Sequence, residues 1–190
     1  MNKKVFNTDK LHKLNDPVRL NWLPPREIWT FLNLKNPKVL VDFGAGTGFF
    51  TSRMAVFAPE ADIHAMDIQP EMIDYLQEHM PDTVSPMLLR GNTIPLADNS
   101  VDALWNIAVY HELEDRDIFL AEVFRILKPD GKLLIIDWEK EEPVLDAGPP
   151  LKNRISGKKI IEEVRDSGFR EIRTMVTLNS HIGICGTKPQ

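Results

Sequence analysis

From residue 37 onward the apolar positions follow two alternating rhythms. Short apolar-rich runs recur at Val39–Val41, Ile63–Met66, Val101–Ala108 and Leu133–Ile136. Leu133–Ile136 is continuously apolar, the pattern of a strand covered on both faces. Between these runs the spacing turns helical. Thr47–Phe57 puts Phe50, Met54 and Phe57 on one face, and Asp115–Leu127 puts Phe119, Val123, Ile126 and Leu127 on one stripe. Pro70 suits the first turn of a helix over Pro70–Met80, and Pro81 ends it. Ile160–Ser167 is a further helix, stopped at Gly168. Val84–Arg90 reads as a strand weakened by Pro86. Glu171–Leu178 and Ile182–Thr187 flank Asn179-Ser180-His181 and predict a hairpin. Upstream of the Asn36-Pro37 break, Pro24 and Pro25 open a short amphipathic helix with Ile28, Phe31 and Leu32 on one face.

Strands alternating with helices predict an α/β fold built on a doubly wound, mostly parallel sheet. The runs make it seven-stranded, and the closing hairpin supplies an antiparallel edge strand. Residues 1–36 read as an N-terminal helical lid segment and 37–190 as the main domain. Ligands of such sheets bind beyond the carboxyl ends of the strands, so the loops that follow the strands carry the candidate chemistry.

Composition narrows the partners. The 190-residue chain is 43% hydrophobic and 27% charged, ordinary for one globular domain. A net charge of -5 argues against nucleic acid or an anionic membrane surface. Cys185 is the only cysteine, which excludes an intrachain disulfide framework, disfavours a thiolate metal site and fits a reducing cytoplasm. Lys3 and Lys4 precede no apolar signal core, and no apolar run approaches the ~20 residues of a membrane span.

The most informative stretch is Val41 to Phe50, VDFGAGTGFF. Glycines at Gly44, Gly46 and Gly48 let the backbone turn sharply and let a ligand approach it. A dinucleotide loop of the form G-x-G-x-x-G needs its third glycine at position 49, which is Phe49, and no Gly-Lys-Ser/Thr follows for a P-loop. Asp42, two residues before the first glycine, would repel a pyrophosphate and suits a cationic ligand.

This stretch resembles motif I of the class I methyltransferases that use S-adenosylmethionine and release S-adenosylhomocysteine. The resemblance covers Lys38 to Trp138 and implies the Rossmann-like fold of that family. It implies that Asp42, Gly44, Ala45, Gly46, Thr47 and Gly48 face the cofactor. Asp67, about 20 residues past the glycines, matches the family acid that accepts the ribose hydroxyls; read by itself, it could equally cap the helix opening near Pro70. Ile68 and Met72 would pack on adenine. Asn92 stands where the family usually has an acid that bonds the adenine amino group, and it also suits a turn; Thr93 follows it. Asn106, Ile107 and Ala108, ending the fourth strand, would run under the methionine part and supply backbone contacts to it. Leu127-Lys128-Pro129-Asp130-Gly131 resembles the family's structural turn into the fifth strand.

Methyl transfer from a sulfonium is an in-line displacement that needs a base only when the acceptor must lose a proton. His111 is the candidate catalytic base, with Glu112 or Tyr110 assisting; packing within its loop is the other reading. Acceptor specificity is expected from the N-terminal segment and from 139–155, where Lys152 and Arg154 could meet an anion or simply be solvated. A small-molecule acceptor, as in the quinone-biosynthesis branch, is the expectation. The single cysteine disfavours arsenite methylation, and no metal-ligand cluster is evident. A binding protein that holds the cofactor without turnover, or a dinucleotide oxidoreductase, are the alternatives.

Overall fold

In the computed structural model, which describes residues 11–91, 93–140, 148–175 and 180–190, β1 (Val39–Phe43), β2 (Asp62–Asp67), β3 (Val84–Leu88), β4 (Val101–Ile107), β5 (Leu127–Trp138), β6 (Arg170–Met175) and β7 (His181–Thr187) form one sheet. Their order is β3-β2-β1-β4-β5-β7-β6. β1 to β5 run parallel, and β7 runs antiparallel to both its neighbours, as the hairpin pattern requires. It lies one place in from the edge, which β6 occupies. The chain reverses its direction across the sheet between β1 and β4, which opens a crevice at the carboxyl ends of β1, β2 and β4.

The period-two alternation sorts the strand residues between two cores. On β5, Leu134 and Ile136 join one cluster while Leu133 and Ile135 join the other. The first cluster takes in α3 (Pro25–Leu32), α4 (Thr51–Ala55) and α5 (Pro70–His79) through Ile28, Leu32, Met54, Ile73 and Leu76. The second takes in α6 (Arg116–Ile126) and α7 (Gly157–Asp166) through Phe119, Leu120, Val123, Ile126, Ile160 and Val164. Two shorter helices, α1 (Leu11–Leu14) and α2 (Arg19–Trp22), precede α3.

Three local outcomes differ from the sequence pattern. Pro86 is accommodated because β3 is an edge strand, where a missing N–H breaks no ladder. The helix expected from Thr47 begins only at Thr51, because Gly48 has φ +73, outside helical space. β5 starts at Leu127 rather than Leu133, with Asp130 at φ 65 marking the bend within it; backbone bonds from Asp130 to Lys188 and from Lys188 to Gly131 hold that bend. Asn179 of the hairpin lies outside the described residues. Among the described residues no helix is long and apolar enough to cross a membrane.

Candidate active site

The crevice at the strand ends encloses about 640 Å³. Asp42, Gly44, Ala45, Gly46 and Thr47 line it from the β1 loop, and Asp67, Ile68 and Met72 from the β2 loop. Thr93, Ile107 and Ala108 join them from the predicted set. Sequence spacing thus brings together residues from four segments.

The glycine loop is shaped by a close approach. Gly44 has φ +78, and a Cβ there would sit 2.6 Å from a methyl of Val109, so only glycine fits. The loop's amides are already committed. Those of Gly44 and Ala45 donate to the Met66 carbonyl, that of Gly48 to Ala45, and that of Gly46 to the Asp67 carboxylate at 2.9 Å. With these four amides used inside the protein, none of the loop's three glycines offers a free N–H to a phosphate.

Two buried carboxylates face the cavity instead. Asp42, 3% exposed, accepts a 2.6 Å bond from the Thr51 hydroxyl. Burial pushes its carboxyl up to about 6, against the opposing pull of the Thr51 bond. Asp67, 8% exposed, accepts from the Gly46 amide through Oδ2 and from the Gln69 amide through Oδ1. Burial raises its pKa too, opposed by those backbone bonds. Each carboxylate oxygen retains a lone pair for a ligand. The capping and ligand-binding readings of Asp67 are compatible: Oδ1 holds the residue before Pro70, while the carboxylate as a whole opens on the cavity.

The N-terminal segment closes one side. Asn15 accepts a 2.7 Å bond from the Thr47 hydroxyl, and Leu14 and Arg19 line the cavity. The Arg19 guanidinium stands 4.7 Å from the Phe50 ring centroid and 5.1 Å from that of Phe49, and donates to the Leu14 carbonyl. Burial pushes its pKa down to about 10. Opposite, the β4–α6 loop contributes Val109, Glu112, Leu113, Glu114 and Asp115.

A family model described as a methyltransferase domain matches residues 41–135. The crystal structure of an S-adenosylmethionine-dependent methyltransferase from Aquifex aeolicus is 31% identical and superposes with a TM-score of 0.88, covering 96% of this chain and 99% of that one. The chain belongs to the S-adenosylmethionine-dependent methyltransferase family. Among curated relatives, an uncharacterized methyltransferase of Mycobacterium tuberculosis is 34% identical over 70% of this chain and 57% of its own length. The malonyl-[acyl-carrier protein] O-methyltransferase of Methylococcus capsulatus is 28% identical over 72% of this chain and 54% of its own. The chain therefore spans little more than half the length of these curated relatives.

Four of the positions singled out in this methyltransferase do not line the cavity. Gly48 is buried off the cavity, its Cα turned so that a Cβ would strike Leu76 and Met80. The Asn106 side chain, which the expected backbone contact does not involve, donates to the Phe43 carbonyl at 3.3 Å while its own Oδ1 is buried without a partner among the described residues. His111 does not line the cavity: its backbone N–H and ring Nδ1 both engage Asp137 at 2.8 Å, and its side chain is 7% exposed. Its neighbour Glu112, 3.6 Å from Nε2, does line it. Arg154, expected as a possible anion contact, is buried over the Trp138 ring and donates to the Pro149 and Glu139 carbonyls. Lys152 is exposed, and Asn92 lies outside the described residues.

Arg19, Glu114 and Asp115 are cavity residues that sequence reading missed. Glu112 was legible as a helper to His111 because it follows the fourth strand. Arg19 carried no local signal; its role depends on contacts about 30 positions away.

Proposed function

We propose that this methyltransferase moves a methyl group from S-adenosylmethionine to a small-molecule acceptor by in-line displacement, with residues 11–34 acting as a lid. The observation that carries the proposal is the pair of buried carboxylates, Asp42 and Asp67, at the ends of adjacent parallel strands over a loop whose glycine amides are bonded within the protein. Such a site fits a ligand with positive charge and ribose hydroxyls and no phosphate. The cofactor, when bound, supplies a methyl group on a sulfonium already activated for displacement. Asp42 favours the cationic end of that ligand. Asp67 accepts the ribose hydroxyls as a charged acceptor and, through Gly46, fixes the loop beside them. Ile68, Met72 and Ile94 offer the apolar surface for adenine. A cavity of about 640 Å³ falls within the ~300–1,000 Å³ of small-molecule sites, and its closure by the N-terminal segment excludes water.

Where the acceptor must lose a proton, Glu112 on the cavity wall receives it. His111, clamped by Asp137, is the positioning residue behind Glu112. A radiolabelled-methyl assay against cell extract, with identification of the labelled product, tests the proposal. Label transferred to a small organic molecule supports it; label on protein or nucleic acid alone, or no transfer, rejects it.

Asp42 gives a pH prediction. Its native carboxyl keeps its proton up to about pH 6, above the ordinary 3.8. The folded state therefore binds more protons than the unfolded state in that window, and Asp42 costs stability as pH rises from about 4 to about 6. Ligand affinity moves the other way, because a cation beside Asp42 favours the ionised form. Calorimetric affinity for S-adenosylmethionine should rise ~4-fold from pH 5.5 to 7.5, the increase in ionised fraction for a pKa of about 6. Asp42→Asn should flatten the step; an equally steep profile in that variant would refute the assignment.

A further inference from the structure

We propose that Glu122 and Arg125 of α6 are positioning residues for cofactor binding: they hold in shape a cavity wall that has no regular secondary structure of its own. The inference rests on the cofactor reading above and extends it to two side chains that do not themselves line the cavity.

The wall in question is the connection from β3 to β4. It runs from one edge of the sheet back past β2 and β1, and it contains no helix among its described residues. Leu89, Arg90, Gly91, Thr93 and Ile94 of this connection line the cavity. A crossover helix would satisfy its backbone internally; an irregular connection must find its partners elsewhere.

Arg125 supplies them. Its Nε donates to Glu122 Oε1 at 2.9 Å. One terminal nitrogen donates to the Leu96 carbonyl at 2.9 Å and to Asp98 Oδ1 at 2.7 Å. The other donates to the Ile94 carbonyl and to Glu122 Oε2, both at 2.9 Å. All five N–H groups of the guanidinium thus have acceptors. Glu122 Oε2 accepts in turn the Ile94 backbone N–H at 2.8 Å. One ion pair therefore holds Ile94 at both its amide and its carbonyl. The grip continues toward β4, where the Asn99 and Ser100 amides donate to the backbone carbonyls of Arg125 and Ile126. The helix makes this possible by its period: Glu122 and Arg125 lie three apart on one face, while Val123 and Ile126 turn into the core.

The contact matters for the ligand because of what it holds. Ile94 is 2% exposed and belongs to the same apolar cluster as Phe119 of α6, and both line the cavity. With its backbone fixed, its side chain stands ready as a surface for the cofactor. A wall set in advance binds without the entropic cost of being ordered by the ligand; a released wall would carry that cost into every binding event.

The test reads affinity separately from stability. S-adenosylhomocysteine is titrated by calorimetry, well below each melting temperature, into the full chain, Arg125→Met, Arg125→Lys, Glu122→Gln, the Arg125→Met/Glu122→Gln double variant, and Lys128→Met. The last breaks the 2.7 Å ion pair with Asp102, off the cavity, and is the control for lost stability alone. Arg125→Met should weaken binding roughly tenfold. Arg125→Lys, which lacks the planar fork, should fall in between. The double variant should lose less than the product of its two single losses, because both residues act on Ile94. Lys128→Met should melt earlier and bind within twofold of the unaltered protein. Affinities within twofold in both Arg125→Met and Glu122→Gln would overturn the proposal. So would multiplying losses in the double variant, or a loss of affinity in Lys128→Met matching that of Arg125→Met. Should Arg125→Met not fold, Arg125→Lys and Glu122→Gln, with their own double variant, decide by the same comparison. Failure of the unaltered protein to bind S-adenosylhomocysteine would instead overturn the cofactor reading itself.

Discussion

Asp67→Ala should weaken S-adenosylhomocysteine binding about thirtyfold. Two hydrogen bonds to a charged, largely desolvated acceptor are removed, and a loss of ~2 kcal/mol follows from ~1.5–3 kcal/mol for one such bond with partial compensation by water. The substitution also frees the Gly46 and Gln69 amides that the carboxylate holds at 2.9 and 3.0 Å, so the glycine loop loses its tie to β2. Asp67→Asn separates the effects. It keeps one carbonyl oxygen for an amide but presents an NH2 where the second oxygen stood, so loop anchoring survives in part while two-point ribose recognition does not. Calorimetry on both variants, beside their melting temperatures, is the measurement. An affinity within threefold of the unaltered protein in Asp67→Ala would remove Asp67 from the ribose site.

Glu163→Ala should cost about 3 kcal/mol of stability, the lower end of what breaking a buried charged pair costs. Glu163, on α7, is 8% exposed and accepts the Tyr110 hydroxyl at 2.8 Å and a two-point contact from Arg116 at 2.9 and 3.0 Å. Burial alone would raise its carboxyl, but the Arg116 and Tyr110 bonds outweigh that and leave it lowered. A carboxyl lowered on folding stabilises at neutral pH, and that contribution fades as pH falls below the ordinary 4.5. Removing the side chain strands a buried tyrosine hydroxyl and a guanidinium. For a chain of this length the melting temperature should drop by ~6–12 °C. The effect reaches the site, because Tyr110 opens the 3-10 turn Tyr110–Glu112 that carries Glu112 on the cavity wall. A melting temperature within 2 °C of the unaltered protein would mean that this network is not a structural tie.

The parts of the site legible in the sequence are those whose chemistry is local. The glycine loop excluded a phosphate ligand by spacing alone, because Phe49 occupies the third-glycine position and Asp42 carries the wrong charge. Asp67 could be found because β1, α4 and β2 have short, predictable lengths, which puts the second strand end near the first. The central strands β1, β4 and β5 could be found because they are covered on both faces and so must be largely apolar. The start of α4 was placed too early because the periodic face, Phe50, Met54 and Phe57, does not mark where the helix begins; Gly48 has a positive φ, and a Cβ there would strike Leu76 and Met80.

What lay beyond the sequence was decided by contacts between distant segments. On position alone His111 reads either as a base or as packed within its loop; Asp137, 26 residues away, draws both its backbone and its ring behind the wall and leaves Glu112 in front. Arg154 reads as an anion contact or a solvated charge and is instead buried over Trp138. Arg19 sits in a polar segment with no motif, and only its docking over Phe49 and Phe50 makes it part of the cavity. The sequence by itself determined the fold, the family and the cofactor loop, because periodicity and short-range spacing are written into neighbouring residues. The tertiary structure decided which charged side chains face the ligand, because that choice depends on which partners burial brings within hydrogen-bond distance.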